Sequence, residues 1–173
     1  MNINSEEQSH GVVALRLWEE LGLEVSCLSF SISTAESRSR SSYVLKAIQP
    51  KMLGTGKESA AGLFIKVSNK RASPWRYSFH KEHQDEILEL KQTYGEVFVI
   101  FVAGTDGIAC VNFESLKQIL DHHHEEQEWV ALSRKLRQNY RLSGNDGAYE
   151  RPLPKNTFPS LITDHFKNIY DLS

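Results

Sequence analysis

Only two cysteines, Cys27 and Cys110, occur in the 173 residues. A disulfide scaffold uses many more, so both are expected as small buried thiols, in keeping with a reducing cytoplasm, with a single Cys27–Cys110 pair as the alternative. No apolar run approaches the roughly 20 residues that span a bilayer. The opening Met1-Asn2-Ile3-Asn4-Ser5-Glu6-Glu7 is too acidic and polar for a secretory leader. Internal repeats and low-complexity linkers are absent, and no aspartate precedes Asp85. With 40% hydrophobic and 24% charged residues the composition is that of an ordinary globular protein, which excludes disordered, collagenous and coiled-coil classes. The length suits one compact domain with a core of its own.

Charge is balanced overall, 20 Lys and Arg against 22 Asp and Glu, but unevenly spread. From Glu36 to Arg76 nine cations, among them Arg38, Arg40, Lys66, Lys70, Arg71 and Arg76, face only Glu36 and Glu58. A second basic cluster comprises Arg134, Lys135, Arg137 and Arg141. A basic stretch in a near-neutral chain supplies phosphate contacts if the fold gathers it on one face; solvated residues on several faces are the alternative.

Hydrophobic periodicity sets out the elements. Ser5 to Gly22 reads as a helix, with a Ser-x-x-Gln capping pattern and Val13, Leu17 and Leu21 on one face. Strands follow over residues 23–32, 43–48 and 63–67, with a Ser- and Arg-rich connection at 34–42 and a loop around Gly54 and Gly56. A loop containing Pro74 leads to a second helix over 81–94, stopped by Gly95. The unbroken apolar run Val97–Val102 reads as a strand covered on both faces, and Gly104-Thr105-Asp106-Gly107 turns it into a hairpin with residues 108–111. Phe113, Leu116, Ile119 and Leu120 mark a third helix, and a fourth is expected near residues 129–138. The expected organisation is an α/β core with a helical extension over residues 1–142 and an irregular tail over 143–173 that packs on it. The fold class is a mixed central β-sheet flanked by helices.

This order of elements, with Lys66 in the third strand and Gln84 early in the next helix, resembles the PD-(D/E)XK, or restriction-endonuclease-like, nuclease superfamily. The resemblance covers residues 5–102 and implies an α-β-β-β-α-β core, here continued by C-terminal helices. It implies that Lys66 occupies the family's lysine position and Gln84 the glutamine of the resolvase-like branches. It also implies carboxylates that hold Mg²⁺, the oxygen-seeking cation that activates water and steadies phosphate charge. The chain departs from the pattern at Phe64, where the family has Asp or Glu. The nearest carboxylates in sequence are Glu7, Glu36 and Glu58, so these are the candidate metal ligands, with Glu58 the candidate catalytic partner of Lys66 and Gln84.

The segment Lys70 to Tyr77 interleaves Lys70, Arg71 and Arg76 with Trp75 and Tyr77, a mixture suited to phosphates and stacked bases. With Arg38, Arg40 and Lys66 these residues, Trp75 included, form the candidate nucleic-acid surface. The alternative puts the two aromatics in the core. The run His122-His123-His124 cannot converge on one ion because successive helical side chains diverge; His80 with His83, or His122 with Glu126, has better spacing but lacks a third ligand. The Gly54-Thr55-Gly56-Lys57 stretch fails the phosphate-loop pattern at both ends, and no nucleophile elbow is present. Three functions remain: a nuclease-fold domain that binds nucleic acid, DNA foremost, with a degenerate catalytic site, in a restriction, repair or mobile-element system; an assembly subunit that meets a protein partner or a second copy of itself; and an Mg²⁺-dependent nuclease with relocated carboxylates.

Overall fold

The computed structural model describes residues 5–21, 27–32, 40–49 and 57–170. Helix α1 (Ser5–Leu21) is followed by strands β1 (Cys27–Ile32), β2 (Ser42–Gln49) and β3 (Lys57–Ser68). Strand β4 (Trp75–His80), helix α2 (Lys81–Tyr94), and strands β5 (Val97–Ala103) and β6 (Gly107–Asn112) come next. A short α3 (Phe113–Leu116), strands β7 (Gln127–Ser133) and β8 (Arg141–Gly144), and helix α4 (Thr157–Tyr170) complete the chain. Among the described residues no helix is long and apolar enough to cross a membrane.

The main sheet has the order β1-β2-β3-β5-β6. Its first three strands form an antiparallel meander, β5 lies parallel to β3, and β6 returns as a hairpin. The parallel pairing requires a crossover, which β4 and α2 supply. Strand β5 is buried throughout, as its unbroken apolar run predicts. Val97, Val99, Phe101 and Ala103 enter one core, and Phe98, Ile100 and Val102 enter the other. The second core lies under α1 and α4, where Val13, Leu17 and Leu21 meet Ile162 and Phe166. The first lies between the main sheet, α2 and a second sheet of order β4-β7-β8. Gly62 lets α2 close down on β3: a Cβ there would stand 2.8 Å from the Leu90 Cβ.

Four expectations need correcting. The stretch after Pro74 is strand β4, not loop, because Trp75, Tyr77 and Phe79 alternate inward against outward Arg76, Ser78 and His80. The third helix ends at Leu116, and turns cover Ile119 and Leu120. Residues 127–133 form β7 rather than a helix, because Val130 and Leu132 face the core beside β4. The tail expected to be irregular carries β8 and α4. Phe158 keeps an extended backbone (φ −109, ψ 129), as the residue before a proline tends to, and regular helix follows. The mixed sheet with helices on both faces is as expected.

Candidate functional site

Lys66 lies two residues before the end of β3, on the face that carries Phe64 into the first core. Its Nζ donates toward His83 Nδ1 at 3.4 Å and stands 5.2 Å from the centre of the Phe79 ring. His83 Nδ1 also accepts the His80 backbone N–H at 3.1 Å, so the imidazole serves as acceptor at that nitrogen. Burial lowers the Lys66 amine to about 8, against the partial opposition of Glu6 and Glu86. Burial, helped by Lys66 and His80, lowers His83 to about 4. Glu86 is fixed in turn by Ser42, whose hydroxyl donates to it at 2.5 Å.

An amine depressed in this way costs the fold stability whenever it must be charged. Between about 8 and 10.5 the unfolded chain binds more protons than the folded one, so stability rises with pH across that window. Lys66→Met is therefore expected to raise stability at pH 7 by about 1–2 kcal/mol. The gain should shrink as pH approaches 10, which thermal melts across pH 7–10 would register. An unchanged melting temperature at pH 7 would contradict this account.

The other candidates do not gather round Lys66. Gln84, on the buried face of α2, donates to Glu128 and accepts from Lys117 at 3.5 Å. This belongs to a separate network in which Lys117 also contacts His124 at 3.1 Å, and His124 pairs with Asp85 at 2.8 Å. Burial, reinforced by Asp146, raises the Glu128 carboxyl to about 7. Glu58 pairs with Lys46 at 3.7 Å. It lies eight positions before Lys66 in β3, a separation of roughly 26 Å along an extended strand. Glu7 is exposed on α1, and its charge acts on Tyr43, whereas the carboxylates whose charge reaches Lys66 are Glu6 and Glu86. Glu36 and Arg38 lie outside the described residues. No group of three His, Cys, Asp or Glu among the described residues could hold a metal ion. Of the described candidate ligands, Glu7 and Glu58 do not come together beside Lys66, and Phe64 is buried in the core.

The aromatic and basic segment also divides. Trp75 is 2% exposed, and its indole N–H donates to the Lys70 carbonyl at 2.9 Å, so it cannot stack on a base. The Tyr77 hydroxyl donates to the Val102 carbonyl at 3.1 Å inside the core. Arg76 points to the outer face of the second sheet, 5.3 Å from the Trp129 ring. Arg40, Lys70 and Arg71 are exposed. The register Ser42↔Phe64 puts Arg40 level with Lys66, beside the carboxyl end of β3.

That end of the sheet holds a groove of about 730 Å³. Ser5, Gln8, Val12 and Arg16 of α1 form one wall, and Asn69 and Arg71 from the connection after β3 form another. The β5–β6 turn, with Thr105 and Ile108, and the approach to α4, with Lys155 and Pro159, close the remainder. Asn69 staples the walls together by donating to the Ser5 hydroxyl at 3.0 Å. Among the described residues three cations and no carboxylate line this groove. It lies beyond the carboxyl ends of the parallel pair β3 and β5, the usual place for ligands in open sheets of this kind. Lys66 is on the opposite sheet face and does not line it.

Of the groove cations only Arg71 was a sequence candidate. Arg16 and Lys155 carry no local signal, because a helix wall and a distant connection meet only in the fold. Comparison with known proteins brings no relative to this arrangement: no family model, curated protein or solved structure matches the chain.

Proposed function

We propose that the chain is a nuclease-fold domain that binds the phosphate backbone of nucleic acid without cutting it. The observation that carries this reading is the groove in which Arg16, Arg71 and Lys155 meet with no carboxylate among the described lining residues. The chain as a whole is slightly acidic, at −2. A one-signed surface of this kind attracts polyanions despite the overall charge. Arg40 and Lys70, exposed at the same end of the sheet, extend the cationic surface beyond the groove. The pairing of β1 to β3 as a meander, with β5 parallel to β3 across α2, supports a restriction-endonuclease-like core. Buried Phe64, the distance of Glu58 from Lys66 and the engagement of Gln84 with Glu128 support binding without cutting.

A salt titration of oligonucleotide binding tests the reading. Contacts to three phosphates predict that log affinity falls against log salt with a slope of about −2 to −3. No binding at low salt would overturn it.

One observation favours a second reading, an assembly subunit. Val12, Leu15 and Trp18 form a stripe along α1 that is 48%, 57% and 55% exposed. An apolar stripe of this kind suits a helix that meets a partner. Light scattering that finds only monomer, together with no partner in a pull-down from the native host, would remove this reading.

A further inference from the structure

The groove combines two surfaces that a purely electrostatic platform would not need. Arg16, Arg71 and Lys155 bring positive charge, while Val12, Ile108 and Pro159 bring an apolar wall. Val12 is 48% exposed although it lies on α1 above the second core, so its side chain borders the opening rather than filling the interior. Arg16, one turn further along the helix, projects from the same side. Across the groove Arg71 extends from the connection after β3, tied to α1 through the bond from Asn69 to Ser5. Among the described residues neither guanidinium has an ion-pair partner.

Size narrows the occupant. A space of about 730 Å³ is that of a site for a compact organic ligand. A duplex is far too wide to enter, and its bases are already stacked on one another. An unpaired nucleotide offers both a phosphate and a free ring face. A ring laid on the apolar wall leaves water at the same time as its phosphate meets a cation.

We propose that the groove seats unpaired nucleotides, with Arg16, Arg71 and Lys155 on the phosphates and Val12, Ile108 and Pro159 against the bases. This rests on the nucleic-acid reading above and narrows it to single strands, free ends or gapped regions.

Fluorescence anisotropy separates the two claims. The probes are an oligothymidylate of about twelve nucleotides, a duplex of the same length, and inorganic polyphosphate as competitor. The single strand is expected to bind about tenfold more tightly than the duplex. Val12→Asn, at an exposed position, should remove most of that preference by weakening the single strand alone. Ile108→Ser should act in the same direction, and circular dichroism would establish that both variants fold. Equal affinity for the two forms, with steep salt dependence, would overturn the inference while leaving the nucleic-acid reading intact. A Val12→Asn protein that keeps the full preference would also overturn it, as would polyphosphate that displaces the strand charge for charge. Failure of both oligonucleotides to bind at low salt would remove both claims together.

Discussion

Reversing two charges, with Arg71→Glu and Lys155→Glu in one protein, is expected to reduce oligonucleotide affinity by on the order of 100-fold at moderate salt. Each reversal removes one phosphate contact and adds a repulsive one, and the two cations stand on different walls of the same groove. The salt slope should fall by about 2, since each lost phosphate contact takes away nearly one released counterion. Both side chains are exposed, so the melting temperature should scarcely move. Arg76→Glu supplies the contrast. Arg76 faces outward from the second sheet against Trp129, away from the groove, and its reversal should change affinity less than threefold. Should Arg76→Glu weaken binding as much as the groove variants, the path of the nucleic acid proposed here would be wrong.

The second large effect concerns folding. The Asp106 carboxylate accepts both the Arg134 Nε–H at 2.6 Å and the Arg134 Nη2–H at 2.5 Å. It also accepts the Tyr140 hydroxyl at 2.7 Å. These groups are largely withdrawn from water, with 11% of the Arg134 side chain and 21% of the Asp106 side chain exposed. Burial alone would raise the Asp106 carboxyl, but the bonds from Arg134 and Tyr140 outweigh it and leave the group below its ordinary value. Asp106→Ala strands the guanidinium without its counter-charge and should cost about 3 kcal/mol or more. For a chain of this size that corresponds to a fall of roughly 6–12 °C in melting temperature. Adding Arg134→Met to Asp106→Ala should restore much of the loss, because the penalty comes from the abandoned charge rather than from the missing bond. Additive losses in that double variant would refute this account. Acid should act in the same direction: a carboxyl depressed on folding stabilises above its unfolded value, and that contribution disappears as pH falls through the folded one.

How far the sequence revealed this molecule varies from element to element. Strand β5 was legible because a fully apolar run bounded by Gly95 and Gly104 suits only a strand covered on both faces. Helices α1 and α2 were legible from their apolar periodicity and glycine stops. Strand β4 was obscured by charge: Arg71, Pro74 and Arg76 suggest a solvated loop, although Trp75, Tyr77 and Phe79 alternate as strand residues do. Helix α4 was obscured by proline. Pro154 and Pro159 lie at its approach and first turn, where proline is tolerated, yet in sequence they look like breakers. The site divides similarly. The depth of Lys66 in β3 followed from strand position, but its partner His83 did not, since the neighbouring Gln84 diverges by about 100° around the helix and bonds to Glu128 instead. The groove was invisible for a stronger reason, because Arg16, Arg71 and Lys155 belong to three separate parts of the chain and share a surface only after the sheet forms.

Helix α1 rests against α4, so the earliest described helix is covered by the last. During synthesis Val13 and Leu17 therefore leave the ribosome long before Ile162 and Phe166 can shield them. The β1–β3 meander offers only partial shelter in the interval. This half of the core is completed only once the segment carrying Ile162 and Phe166 has itself emerged from the ribosome.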